Sequence, residues 1–122
     1  MNLISFFKSF YYAFKGLALM FKGQRSFFIH IIAMLIAISG AIYFPITKTE
    51  WLVIIIVIAI VLAAEIFNTA IEKLTDMVEP DFNEKAAQVK DLAAAAVLIC
   101  AIGSLITGIL IFLPHLLELF IT

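Results

Sequence analysis

Three long stretches without charge dominate what this chain can fold into. Phe27 to Phe44 contains no Asp, Glu, Lys or Arg, Trp51 to Ala64 is wholly apolar, and Leu92 to Leu113 is uncharged throughout. A membrane-crossing helix needs about 20 mostly apolar residues. In lipid every backbone polar group must be satisfied internally, so only helices and closed barrels can span, and the alternation of a barrel strand is missing here. The second stretch continues past Ala64 towards Asp76 with helical spacing, so its polar end must face other protein or the membrane surface. The chain therefore reads as an all-α membrane protein, one domain over residues 1–122, with membrane helices at 26–44, 50–78 and 83–113. With 65% hydrophobic and only 14% charged residues in 122, a soluble fold of this size would leave too much apolar surface in water.

Residues 1–24 carry a different pattern. Leu3, Phe7, Phe10, Phe14, Leu17 and Phe21 recur at steps of three and four, while Lys8, Lys15 and Lys22 repeat every seven residues on the opposite side. Such opposed faces describe an amphipathic helix lying at the membrane surface. Basic residues precede the first span and flank the loop after the second, but only Lys48 occupies the first loop. The positive-inside rule then places the N-terminus and the Met77 to Val89 loop in the cytoplasm, and the Pro45 to Glu50 turn and the tail outside. Within the cytoplasmic loop, Pro80 should end the second membrane helix. Asp81 with Glu84 three positions on is expected to restart the chain as helix through a capping box. The third membrane helix is expected to stop at Pro114. Ala93 to Ala96, and Ser104 with Gly108, suit close packing between spans.

Several function classes are excluded by what is missing. A net charge of −1 and the lack of a basic, aromatic-interleaved patch leave nothing to bind nucleic acid. Nor is there a Walker-type phosphate loop or the glycine-rich loop of soluble kinases. Cys100 reads as a small buried hydrophobe. The N-terminus lacks the compact basic start and small-residue cleavage site of a removable signal. His30 and His115 fall near opposite membrane faces, which rules out a shared zinc site, and each is expected to be an amphipathic interface residue.

The chemistry concentrates on the second span. With Glu65 at zero on a helical wheel of about 100° per residue, Asn68 falls near −60°, Glu72 near −20° and Asp76 near +20°. The four share an arc of roughly 80° over about 16 Å of helix. Acids inside a membrane span are expensive and usually functional. Glu65, the deepest, needs a cation or donor partner to stay charged there, and it is the candidate general base. Glu72 and Asp76 lie closer to the cytoplasm, where carboxylates can hold Mg²⁺ through oxygen contacts. Lys90 and Asp91 reach the same level from the third helix, and a lysine beside metal-binding carboxylates suits a polyphosphate.

The run Glu-Ile-Phe-Asn-Thr-Ala-Ile-Glu-Lys-Leu-Thr-Asp at 65–76, followed by Lys-Asp-Leu-Ala-Ala-Ala-Ala-Val-Leu at 90–98, resembles the prokaryotic diacylglycerol kinase family. The likeness extends over almost the whole chain, including Phe14-Lys15-Gly16-Leu17 on the surface helix. It implies a homotrimer in the bacterial inner membrane with active sites shared between subunits. It also implies transfer of the γ-phosphoryl group of MgATP to a membrane lipid hydroxyl at the cytoplasmic face. By the same resemblance Glu65 is the base, Asn68 a positioning residue and Glu72 a metal ligand. Tyr12, Asp81, Phe82, Asn83, Lys90 and Asp91 are nucleotide contacts, and Asp76 belongs to the signature without an assigned role. The family's second metal-binding Glu is replaced by Gln24, which offers a neutral oxygen only, and an arginine usual in the family is Phe28. His30 is similar to the Gram-positive-type branch, many of whose members act on undecaprenol. Two other classes compete with a lipid kinase: a small proton- or cation-coupled carrier using Glu65 as its intramembrane site, and a non-catalytic membrane scaffold.

Overall fold

The computed structural model describes residues 2–121 and contains four helices: α1 (Leu3–Met20), α2 (Arg25–Tyr43), α3 (Lys48–Val78) and α4 (Glu84–Ile121). The last three are long and apolar enough to cross a membrane. At about 1.5 Å per residue, the 31 residues of α3 and the 38 of α4 reach roughly 46 and 57 Å, beyond the ~30 Å hydrocarbon layer. Both helices must therefore project out of the apolar layer, and their charged ends meet at Asp76 and Lys90.

Each helix end has a local cause. Asn2 caps α1 by accepting from the Ser5 N–H at 2.8 Å. A turn with Gly23 at φ 92° then redirects the chain, a conformation that glycine adopts without steric cost. Thr47 and Glu50 form a reciprocal capping box at the start of α3, a signal the sequence reading passed over. At its far end α3 stops at Val78, and Glu79 and Pro80 lie outside the helix. The expected Asp81–Glu84 box is not what starts α4. Instead the side-chain oxygen of Asn83 accepts from the N–H groups of Lys85 and Ala86 at 2.9 and 3.2 Å. Asn83 immediately precedes the first helical residue, the position from which a short side chain reaches these donors, whereas Asp81 sits two residues too early.

The expected stop at Pro114 is also corrected, because α4 continues through it to Ile121. Proline removes one i→i−4 bond, a defect that membrane helices accommodate through neighbouring contacts. Here the continuing turn is held by His115, which stacks on Phe44 with ring centroids 5.5 Å apart.

α3 is the central element. It packs along α4 and against α2, and α1 touches it more sparingly. Ile54, Val61, Glu65 and Thr69 are its buried residues, recurring at steps of seven and four on one face. A compact apolar cluster of Ala41, Ile54 and Ile111 joins the three long helices near the α2–α3 turn. Of the four alanines at 93–96 only Ala93 is buried, and a Cβ on Gly108 would meet nothing within 4 Å. The close approach falls instead at Gly40, where an added Cβ would lie 3.1 Å from the Phe112 ring. The α1 face of Leu3, Phe7, Phe10, Phe14, Leu17 and Phe21 is exposed along its length, and α1 is anchored at its end by buried Met20.

Gly40→Leu should overpack the Phe112 contact and destabilise the chain by about 1–3 kcal/mol, read as a lower thermal unfolding temperature in detergent. Asn83→Ala should remove the α4 cap at a cost of about 1 kcal/mol, read as faster hydrogen exchange at the Lys85 and Ala86 amides.

Candidate functional site

The polar face of α3 is divided by the fold into three levels. Deepest is Glu65, only 2% exposed among apolar neighbours. A carboxylate can be buried only with hydrogen-bond or charge partners, and α2 supplies them. Ser26 Oγ donates to Glu65 Oε2 at 3.0 Å, and His30 Nε2 lies 3.0 Å from Glu65 Oε1. Ser26 and His30 are one helical turn apart, so both face α3 from the first turns of α2. That end of a helix also carries the positive pole of the backbone dipole, which favours a carboxylate.

His30 thus differs from the expected amphipathic interface residue, being 19% exposed and paired with the deepest acid of the site. The sequence shows only that Ser26 and His30, four residues apart, share a helix face. Neither residue is marked by the sequence until the register of α2 on α3 is known.

One turn further along α3, Asn68 Nδ2 donates to Glu72 Oε1 at 3.2 Å. The other side-chain atom, Asn68 Oδ1, is buried with no hydrogen-bond partner. This level therefore presents oxygen atoms: the Asn68 carbonyl and the half-buried Glu72 carboxylate. Gln24 is the residue preceding α2 and makes no side-chain capping bond. Among the described residues no three His, Cys, Asp or Glu side chains gather as a metal site.

At the third level Asp76 pairs with Lys90 across α3 and α4, which gives Asp76 the structural relationship that the linear sequence left open. The pair is exposed, 61% and 39% respectively, and contributes little to stability. It keeps a lysine ammonium beside a small polar recess of about 150 Å³ whose walls include Asp81, Phe82 and Asn83. Lys90, Asp76 and the 79–83 loop therefore come together. Tyr12 and Asp91 are exposed, and no hydrogen bond or ion pair joins either to these groups among the described residues.

Between α2, α3 and α4 runs an apolar groove of about 690 Å³, with His30 at one end and Leu116 towards the other. The chain thus carries an apolar groove, a buried acid, side-chain oxygens and a lysine in sequence along the bundle. Such a series can serve a substrate with an apolar body and a hydroxyl, together with an anionic partner at the charged end.

Comparison with known proteins identifies relatives of this chain. The chain is 35% identical over 115 residues to an undecaprenol kinase of Bacillus subtilis, covering 94% of each protein. It is 35% identical to a diacylglycerol kinase of Synechocystis, over 93% of this chain and 65% of that protein. It is 29% identical to the diacylglycerol kinase of Escherichia coli K12, over 85% of each. The sequence profile described as prokaryotic diacylglycerol kinase matches residues 11–112, and the chain belongs to that family of membrane phosphotransferases.

Proposed function

We propose that this protein transfers the γ-phosphoryl group of ATP to the hydroxyl of a membrane lipid, either diacylglycerol or undecaprenol. The observation that carries the reading is the graded polar face of α3, in which buried Glu65 is followed by Asn68, Glu72 and Asp76 with Lys90 beside it. Family membership supports ATP as donor and a lipid as acceptor. The relatives include kinases for both lipids at equal identity, so the choice rests on experiment.

Phosphoryl transfer needs positioning and charge stabilisation more than covalent catalysis. Glu65 takes the proton as the lipid O–H bond breaks and the oxygen bonds to the γ-phosphorus. The bond from that phosphorus to the bridging oxygen breaks, and ADP leaves. Asn68 holds Glu72 in place, and Lys90 offsets charge on the phosphates. The loop at Asp81, Phe82 and Asn83, with Tyr12 and Asp91, supplies the remaining nucleotide contacts.

Mg²⁺ fits the donor set. It binds through one or two carboxylates plus substrate phosphates and retained waters, and here the Glu72 carboxylate is held by Asn68 Nδ2 while the carbonyl oxygen of the same amide has no hydrogen-bond partner. Glu72 would hold it, with Gln24 as a neutral oxygen in place of a second carboxylate. When bound, the ion neutralises charge on the β- and γ-phosphates. In this reading the active chain is a homotrimer in the bacterial inner membrane, with α1, the 79–83 loop and the site on the cytoplasmic side. The many exposed apolar side chains on α2, α3 and α4 are consistent with both lipid contact and neighbouring copies.

Label transfer from γ-labelled ATP into diacylglycerol and undecaprenol, measured side by side in mixed micelles, tests the reading. Wild-type protein should label one of them, and Glu65→Gln should lower kcat by about 10²-fold or more. A folded wild type that labels neither lipid in the presence of MgATP would remove the kinase reading in favour of a carrier or scaffold. Lys90→Met should raise the KM for MgATP by about 10- to 100-fold, the range for losing a charged hydrogen bond, measured by initial rates at saturating lipid.

A further inference from the structure

The two α2 side chains that meet Glu65 have no part in the reaction as described so far. Ser26 and His30 engage different oxygens of one carboxylate, both at 3.0 Å. A glutamate's terminal torsion is broad and weakly restrained, so a single donor would leave the carboxylate free to turn. Two donors on two oxygens fix its plane. The ionised carboxylate has about four lone-pair sites, so roughly two remain to receive a proton from an alcohol.

His30 is the more telling of the two. It touches Glu65 on one side and forms part of the wall of the apolar groove on the other, and it joins the base to the region where an apolar substrate body can lie. A neutral imidazole with its proton on Nε2 donates to the carboxylate without a full positive charge.

We propose that His30 is a positioning residue for phosphoryl transfer, fixing the Glu65 carboxylate so that a free lone pair meets the lipid hydroxyl, with Ser26 as the second arm. The role rests on the kinase reading above. In the step, the proton of the lipid O–H moves to Glu65, the alcohol oxygen bonds to the γ-phosphorus and ADP leaves with the bridging oxygen. His30 neither gains nor loses a proton.

The test compares wild type, His30→Leu, His30→Gln, Ser26→Ala, Glu65→Gln and the double variant His30→Leu/Glu65→Gln. For each, kcat and both KM values are measured with the lipid that wild type labels, alongside thermal unfolding in detergent. His30→Leu should lower kcat by about 10- to 100-fold, the scale of a misplaced catalytic group, with both KM values within about twofold. His30→Gln, whose amide can donate to the carboxylate, should recover most of that loss. The double variant should be no slower than Glu65→Gln alone, because the histidine acts only through the glutamate.

Wild-type kcat in His30→Leu would overturn the role while leaving the kinase reading intact. So would a His30→Gln variant that unfolds at the wild-type temperature yet is as slow as His30→Leu, and so would losses that multiply in the double variant. If His30→Leu does not fold, His30→Gln and Ser26→Ala decide. Near-wild-type kcat in the first with a several-fold loss in the second supports positioning, and any other pattern overturns it. Wild type that labels neither lipid overturns the kinase reading and this role together.

Discussion

A carboxylate enclosed by apolar helices is the constraint on which the rest of this molecule turns. Glu65 is 2% exposed and cannot remain there without donors. The first turns of α2 must therefore lie against α3 at one register, with Ser26 and His30 opposite the two carboxylate oxygens. That requirement sets the α2–α3 alignment at the charged end of the bundle, much as Gly40 against Phe112 sets the approach of α2 and α4 at the other. Apolar packing alone would tolerate sliding between these smooth helices, whereas two hydrogen bonds to one buried acid do not.

From that fixed point the chemistry descends along α3 by single turns. Each step of three or four residues moves the side chain about 4.5–6 Å nearer the end of the helix, and its surroundings change from apolar to partly open to exposed. The enclosed acid is held by two donors from α2, the middle level joins Asn68 to Glu72, and the last level presents a lysine already partnered by Asp76. Gradation of environment along one helix thus separates the surroundings of three carboxylates that look alike in the sequence. Because α3 and α4 are both longer than the apolar layer is thick, their charged ends extend beyond it.

Much of this was legible before any coordinates. The membrane helices followed from uncharged runs, since solvation in lipid is decided residue by residue along the chain. The shared face of Glu65, Asn68, Glu72 and Asp76 followed from helical spacing alone. A local signal misled at the α4 cap, where Asn83 rather than the expected Asp81 reaches the free N–H groups. The passage of α4 through Pro114 was hidden because the contact that steadies it, His115 on Phe44, joins residues far apart in sequence.

What the sequence by itself determined was therefore the solvent, the helices and the polar stripe, all of which depend on interactions within a few residues. Only the tertiary structure decided which groups meet the buried carboxyl and which acid meets the lysine. His30 meeting Glu65 and Asp76 meeting Lys90 depend on the register of one helix against another. That register is a collective outcome of packing along the bundle, and no local pattern in the chain encodes it.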